Sequence, residues 1–503
     1  MTFGQYSESL VLFTDFYQLT MAQGYWAEIE KNEGREQNTS FELYFRNNPF
    51  DGGYAVSCGL QDVIKYINKF KFTETIIAYL RTKIDSEGLP LFHEGFLDYL
   101  RTLKFSCDID AMPNGTVVFA NEPLIRVTGP NIQAQLIETA LLNIMNFQTL
   151  IATKAARIKY ACKNKHLADF GLRRAQEQGA LSASYAAYIG GTDSTSNVGA
   201  EFNFGIPCTG THAHSWIMTH KDELTAFRKY AEMMPGNCVF LVDTFDVMEG
   251  TKNALIVAKE LRLLGHEIIG VRIDSGDLAH LSIQIRDLLD KSGFPNAKII
   301  ASNDLDEHVI SSLNAQGAKI DIWGVGTRLL TAFQQPALGG VYKLGAVQRS
   351  DGSWQPKIKL ATPEKTTTPG RRQVRRYYRL ETDTDGKDHQ KFIADAIYDI
   401  DNPPNGPFKV VHPHDRSTKT TLSLNMLYND LLTPIYREGN LIYIEPSIHE
   451  SKDRAKAQLH ALNERTKRLL NPEIYMAGLD ESLDLIKFSL IHTLKDKTLM
   501  HGS

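Results

Sequence analysis

The chain has 503 residues, 42% of them in the apolar set AVILMFWYC, a share ordinary for a folded protein that excludes intrinsic disorder and, with the length, predicts two to four domains. A formal net charge of −4 excludes the basic surplus of a nucleic-acid binder, though not a local phosphate pocket. Five cysteines, an odd count with no CxxC pair, exclude a zinc ribbon and read as reduced thiols.

The opening residues MTFGQYSESLVLFTDFYQ lack the basic-then-apolar pattern of a leader. No stretch approaches the ~18 uninterrupted apolar residues of a membrane span, so a soluble, cytoplasmic protein with no membrane partner is expected. Residues 1–140 mix short apolar strands with Gly/Pro turns, as in FELYFRNNPFDGGYAVSCGL, and helical stretches such as Leu60 to Phe70, an α+β pattern. From Asn131 onwards, apolar residues at Leu136, Leu141, Ile144, Phe147 and Ile151 keep the three-and-four spacing of a long core-facing helix. It marks the start of a second domain, expected over 141–345.

Within that domain short β-type runs alternate with amphipathic helical runs. CVFLVDTFD precedes TKNALIVAKELRLLG, HEIIGVRID precedes LAHLSIQIRDLLD, AKIIASND precedes LDEHVISSLNAQ, and KIDIWGVGT precedes RLLTAF. Fully apolar strands are buried on both faces, which means parallel strands covered by helices. The run ends at Asp243, Asp274, Asp304 and Thr327 recur at the spacing of a βα unit. A doubly wound sheet and a closed barrel both satisfy the pattern. An irregular α/β barrel is expected, because polar residues finish every strand and a barrel gathers its strand ends around one mouth. The alternative is that these residues merely cap the following helices. Residues 346–503 are rich in charge, Thr, Gly and Pro and predict a small third domain of hairpins with long turns, closing with a surface helix over Ile448 to Leu470. The five arginines between Arg371 and Arg379 read as a solvated strand or turn face rather than an anion site.

Glycine and hydroxyl residues concentrate in YIGGTDSTSNVGA, CTGTHAHSW and WGVGTRLL, where backbone N–H groups can approach phosphate oxygens. There is no Walker motif and no strand-GxGxxG-helix, so phosphates would be held in a barrel mouth. His212 and His214 admit three readings: zinc ligands of a metal-dependent hydrolase, which needs later histidines that the strand ends Asp243, Asp274 and Asn303 do not supply; a phosphoryl-accepting nucleophile oriented by Asp243; or a hydrogen-bonded core histidine. Arg173 and Arg174 could hold a carboxylate or phosphate. Arg272, in a buried strand, needs an anion, either a ligand or its neighbour Asp274.

Assembled in order, TDFYQLTMAQGYW, FELYFRNNPFDGGYAV, FGLRRAQ, GGTDSTSN, GTHAHS, VDTFD, GVRIDSGDL, ASNDLDE, GVGTRL and PALGGVYKL make the chain resemble the nicotinate phosphoribosyltransferase family over nearly its whole length. The resemblance implies an N-terminal mixed domain, an irregular α/β barrel, a C-terminal domain, and a homodimer with active sites shared at the subunit interface. It also implies the reaction: nicotinate and phosphoribosyl pyrophosphate give nicotinate mononucleotide and pyrophosphate in NAD biosynthesis, coupled to ATP hydrolysis.

Through the same resemblance His214 matches the histidine phosphorylated by ATP, and Asp243 the carboxylate that orients it. Tyr17 matches an aromatic lent by the other subunit to stack on the pyridine ring, with Phe170 on the opposite face. Thr211 is expected to contact nicotinate or phosphate, Arg173 and Arg272 to line the base and pyrophosphate site, and Thr327 to meet the phosphoribosyl phosphate. Asp274 and Gly326, beside Arg272 and Thr327, complete the expected substrate-binding set. Ser196 stands where the related nicotinamide enzyme has Asp, which favours nicotinate, since Ser does not repel a carboxylate. His212 fills a variable position and is assigned no role. Mg²⁺ is the expected cofactor, held by substrate oxygens and water more than by protein ligands. The alternatives are a nicotinamide or quinolinate transferase, the metal-dependent hydrolase, and a catalytically silent binding module.

Overall fold

The apolar runs of the middle segment form the strands β1 (His166–Asp169), β2 (Ser194–Thr195), β3 (Val239–Leu241), β4 (Gly270–Ile273), β5 (Lys298–Ala301) and β6 (Ile322–Val325) in the computed structural model of the chain. The structure describes residues 10–501 apart from 32, 33, 35, 178, 363, 364, 383, 384, 406, 407, 424 and 425, so the first nine residues of the opening stretch lie outside it. Side chains such as Val271, Ile273, Ile299, Ala301 and Phe240 are buried, as strands covered on both faces require.

The strand order is β2-β1-β6-β5-β4-β3, all parallel. Each strand except β2 therefore neighbours its successor, and β6 returns to pair with β1. A doubly wound sheet would instead reverse its order at a switch point. The order is that of a barrel, and it is open among the described residues at one seam, between β2 and β3. The expected irregular α/β barrel is what forms.

The helix-capping alternative for the polar strand ends is resolved by a second set of aspartates a few residues downstream. Asp246, Asp277 and Asp306 cap the helices Val247–Leu263, Leu278–Lys291 and Glu307–Ala315, accepting from the N–H groups of Glu249 (2.9 Å), His280 (3.0 Å) and Val309 (2.9 Å). Asp243 and Asp274 are thereby left free of that task. The first of these helices settles closely onto β3 because Gly250 carries no side chain: a Cβ there would lie 2.2 Å from the Val242 carbonyl oxygen.

By packing, the chain divides into two compact units, residues 151–336, which contain the barrel, and residues 1–150 together with 337–503. The helix expected from Asn131 is broken at Ile137 into Asn131–Leu136 and Glu138–Cys162. The second unit holds a seven-stranded sheet in which Asn38–Phe45 pairs antiparallel with both Ile125–Pro130 and Gly340–Gln348. Its six-stranded sheet is built on the hairpin Arg372–Thr382/Asp388–Asp399, the hairpin texture expected of the C-terminal segment. The helix expected to close the chain spans Ile448–Ala461, shorter than expected because Leu462 turns to extended backbone, and a further helix, Glu481–His501, follows it. Among the described residues no helix is long and apolar enough to cross a membrane, and all five cysteines are free.

One expectation is overturned. Arg372 and Arg376 are buried at 1% and 2% exposure, not solvated. Arg372 forms an ion pair with Glu42, and Arg376 one with Asp395, whose Oδ1 also accepts from the Tyr475 hydroxyl at 2.9 Å. The remaining three are tied to Asp401, Asp430 and Glu381. A partner carboxylate for each arginine lets the cluster sit in or against the sheet, since unpaired burial would cost several kcal/mol per ion. Asp395→Ala should lower stability by about 3–5 kcal/mol, because it leaves the Arg376 charge buried and unpaired. Asp395→Ala with Arg376→Met should recover much of that loss in chemical denaturation; equal loss in both variants would refute the pairing.

Candidate active site

The strand-end residues singled out by sequence lie at the C-terminal rim of the barrel. The rim is tied together by side chains that reach from one strand end to the next. At the end of β4, Arg272 donates through Nε to Ser302 Oγ (2.8 Å) and through Nη1 to Thr211 Oγ1 (2.8 Å). Ser302 Oγ in turn donates to Asp274 Oδ1 (2.6 Å), which stands 3.5 Å from Arg272 Nη2. Asp274 is therefore the internal counter-ion that the buried strand required. The Arg272 guanidinium also lies 5.5 Å from the centre of the Phe170 ring, within cation–π range.

Phe170 follows β1. Its N–H donates to Val325 O at 2.9 Å, extending the β1–β6 pairing by one rung. Its ring rests on Gly324, where a Cβ would come within 2.5 Å of two ring carbons. No residue other than glycine leaves that ring in place.

His214 opens the short helix His214–Met218, and its ring meets two groups at the end of β3. Nδ1 is 3.1 Å from the Thr244 hydroxyl, and Nε2 is 4.0 Å from Asp243 Oδ1. The Asp243 side chain is 1% exposed. Its Oδ2 accepts from the Asp274 N–H (3.0 Å) and the Ser275 hydroxyl (2.6 Å), while Oδ1 has no hydrogen-bond donor among the described residues. A buried carboxylate oxygen without a donor is costly unless it serves a function, and this one faces an imidazole. A carboxylate at Nε2 favours the tautomer with hydrogen there, leaving the Nδ1 lone pair as the nucleophile.

Ser196 and Gly326 sit on the loops after β2 and β6, Thr327 opens the short helix Thr327–Leu330, and Arg173 is exposed on the turn Leu172–Arg174 after β1. Ser196 N–H donates to the Asp169 carbonyl at 2.8 Å. Tyr17 is exposed on the helix Phe16–Lys31 of the other compact unit. His212 and His214 face different partners, since His212 Nε2 accepts the Leu241 N–H at 3.2 Å. Among the described residues, no group of three or more His, Cys, Asp or Glu side chains is arranged to hold a metal ion.

Sequence reasoning passed over four residues of this network. Thr244, Ser275 and Ser302 each lie beside a residue that was singled out, and their signal was the hydroxyl next to an apolar run. Asp169 is the fourth. It is fully buried, and its carboxylate accepts from Gly171 N–H, Ser184 Oγ and Thr195 Oγ1, all at 2.8 Å, so it ties the Phe170 loop to the Ser196 loop. Burial pushes its pKa up, against the three donors.

Known proteins resemble the chain along nearly its whole length. Family models for nicotinate phosphoribosyltransferase match in three consecutive parts: the N-terminal domain over residues 12–146, the NAPRTase family over 165–367, and the C-terminal domain over 372–487. The chain is 45% identical to nicotinate phosphoribosyltransferase of Bacillus subtilis (strain 168), over 99% of this chain and 98% of that one. It is 36% identical to the Caenorhabditis elegans protein of the same name, over 98% and 94%. The crystal structure of human nicotinic acid phosphoribosyltransferase superimposes with a TM-score of 0.80 at 30% identity, covering 95% of this chain and 99% of that one.

The His212 environment carries a pH consequence. Burial pushes its pKa from 6.5 down to about 4. The unfolded chain therefore takes up a proton below pH ~6.5 that the folded chain refuses until about pH 4, so stability falls as pH drops through that window and is unaffected above it. At pH 5 the loss should be about 2 kcal/mol relative to pH 7.5. His212→Gln, which does not titrate, should lack that part of the acid slope in thermal unfolding; an identical slope in both proteins would refute it.

Proposed function

The chain belongs to the nicotinate phosphoribosyltransferase family and is a nicotinate phosphoribosyltransferase of NAD biosynthesis; from that premise we propose that its transfer is coupled to ATP through phosphorylation of His214 at Nδ1. The observation that carries the proposal is the pairing of an imidazole with a buried carboxylate whose second oxygen is already fixed by two donors. Asp243 holds the hydrogen on Nε2 and stabilises the positive charge that develops as Nδ1 attacks the γ-phosphoryl group. The bond from Nδ1 to phosphorus forms as the bond to the ADP oxygen breaks. Thr244, which occupies Nδ1 beforehand, is then free to donate to a phosphoryl oxygen.

In the transfer step the nicotinate nitrogen attacks C1 of the ribose as pyrophosphate departs, through an oxocarbenium-like state. Phe170 supplies an aromatic face, Arg272 and Arg173 the cationic donors for pyrophosphate and carboxylate, and Thr211, Gly326 and Thr327 hydroxyl and backbone groups for phosphate oxygens. Neutral Ser196 leaves the carboxylate of nicotinate unopposed. Mg²⁺ suits this mouth as an ion carried by the substrate, because Asp274 is a partly exposed carboxylate there and the described residues form no metal cage. When bound with the substrate there, it would neutralise charge on the pyrophosphate oxygens.

The working unit is a homodimer in which Tyr17 serves the partner's mouth. Supporting this are the apolar side chains left exposed near each element: Phe202 (88%) and Val198 (70%) on Val198–Phe204, beside the Ser196 loop, and Phe16 (57%) next to Tyr17. Exposed apolar patches of this kind mark association surfaces.

Three experiments test the proposal. With γ-labelled ATP, the wild type should acquire acid-labile, alkali-stable label, His214→Ala none, and Asp243→Asn label at a rate lower by on the order of a hundredfold; label persisting in His214→Ala would sink the phosphohistidine. Nicotinate mononucleotide should form faster with ATP than without, and nicotinamide should be a poor substitute. For the dimer, Tyr17→Ala and His214→Ala proteins, each impaired alone, should recover about a quarter of the wild-type activity when unfolded together and refolded, because half the dimers are mixed and each has one intact site. No recovery in a preparation shown to contain mixed dimers would place Tyr17 in its own chain's site.

A further inference from the structure

His212 stands at a variable position of its motif and takes no part in the steps just described, yet it lies at the open seam of the barrel. There the chain after β2 runs beside both strands that fail to pair. Thr195 N–H donates to Pro207 O (3.0 Å) and Thr209 N–H to Thr195 O (2.9 Å), so this segment first adds itself to β2 as a parallel bridge. On the far side, Val242 N–H donates to Arg272 O (3.0 Å) in β4, so the N–H of Leu241, one residue earlier, faces the seam. A buried N–H must find an acceptor, and the one it finds is the imidazole of His212, 3.2 Å away at Nε2.

The ring is built for that task. It is packed between Tyr230, Phe227 and Phe240, with ring centres 5.0, 5.8 and 6.4 Å away, and burial keeps it uncharged at neutral pH. Accepting an N–H at Nε2 places its own hydrogen on Nδ1. Two residues after His212 comes His214, and two residues after Leu241 comes Asp243. The His212–Leu241 bond and the His214–Asp243 approach are thus successive rungs, in register, between two segments running side by side.

We propose that His212 is a positioning residue for His214: its neutral imidazole replaces the main-chain rung missing from the seam and thereby fixes how far His214 stands from Asp243. The other anchors of the segment, the Thr195 bridge and the Thr211–Arg272 bond, both lie on the N-terminal side of His212. Without the His212 rung, the final step of chain to His214 has no tie to β3 on this side. The proposal rests on the phosphohistidine reading, and its test separates the two.

The measurement is single-turnover transfer of label from γ-labelled ATP, resolved into a rate constant and an amplitude, alongside thermal unfolding. His212→Gln keeps an acceptor at the ε position and should transfer within about threefold of the wild-type rate constant. His212→Phe fills the space without an acceptor and should slow the rate constant by about ten- to a hundredfold, the cost of an ångström-scale misplacement. His212→Asn, whose oxygen stops one bond short of Leu241, should resemble Phe. A merely structural role would lower the amplitude and the unfolding temperature and leave the rate constant alone. A wild-type rate constant in His212→Phe, or a His212→Gln protein as slow as His212→Phe, overturns the proposal; should the Phe protein not fold, equal rate constants for Gln and Asn do the same. An unlabelled wild type overturns the phosphohistidine reading and this one with it, whereas the other outcomes leave that reading standing.

Discussion

The open seam between β2 and β3 is the constraint from which the geometry of the mouth follows. β2 has two residues and β3 three, and no ladder joins them. A parallel barrel cannot leave buried main-chain groups facing a gap, because water does not reach them and each would cost a hydrogen bond's worth of stability. The seam is filled by residues 207–212, and that same segment carries Thr211 and His212 and leads directly into His214. Closing the barrel and delivering the nucleophile are therefore one structural act. The strand-end groups opposite, Arg272, Asp243 and Thr244, take their places from β3 and β4, so the mouth assembles wherever the segment is drawn across.

Much of this was legible in the amino-acid sequence, for a physical reason. Strands buried on both faces have to be apolar throughout, so CVFLV, IIGVRI and KIIA announce themselves, and a polar residue ending each run must lie where burial ends. Asp243 and Asp274 were found on that ground, and the glycine-hydroxyl loops by their composition. What could not be read was pairing across the sequence. Glu42 lies within the apolar run FELYF, and nothing local indicates that it neutralises Arg372, which is why the arginine cluster read as solvated. Asp169 was passed over because two of its three donors, Ser184 and Thr195, come from elements distant in sequence, and only Gly171 is near it in the chain. The distinction between capping and mouth-facing aspartates was available in principle, since Asp246, Asp277 and Asp306 each precede a helix, but it needs the strand ends fixed to within a residue.

Net charge was a poor guide to the site for the same reason. The chain averages to −4, while the barrel mouth sets Arg272 among Asp274, Ser302 and Thr211 in a network that nearly neutralises itself. Such a network holds the guanidinium in one orientation before any substrate arrives, and donors fixed beforehand stabilise developing charge without reorganising at the moment of reaction. The 3.5 Å from Arg272 Nη2 to Asp274 is the long edge of hydrogen-bonding range, shorter contacts being spent on Ser302 and Thr211. A pyrophosphate oxygen can therefore take up that nitrogen at small cost.

The same arithmetic separates the two carboxylates. Asp274 is a third exposed and shares its charge with Arg272, so it can trade partners when a phosphate enters. Asp243 is buried and has one oxygen held by a backbone N–H and a hydroxyl, so it can neither move nor be shielded by water. A low local dielectric strengthens its field at the imidazole 4.0 Å away, and the fixed oxygen prevents it from turning toward Arg272. Division of labour between a mobile and an immobile carboxylate at adjacent strand ends is what lets one mouth accept a polyanion and still stabilise the charge that develops on its imidazole during phosphoryl transfer.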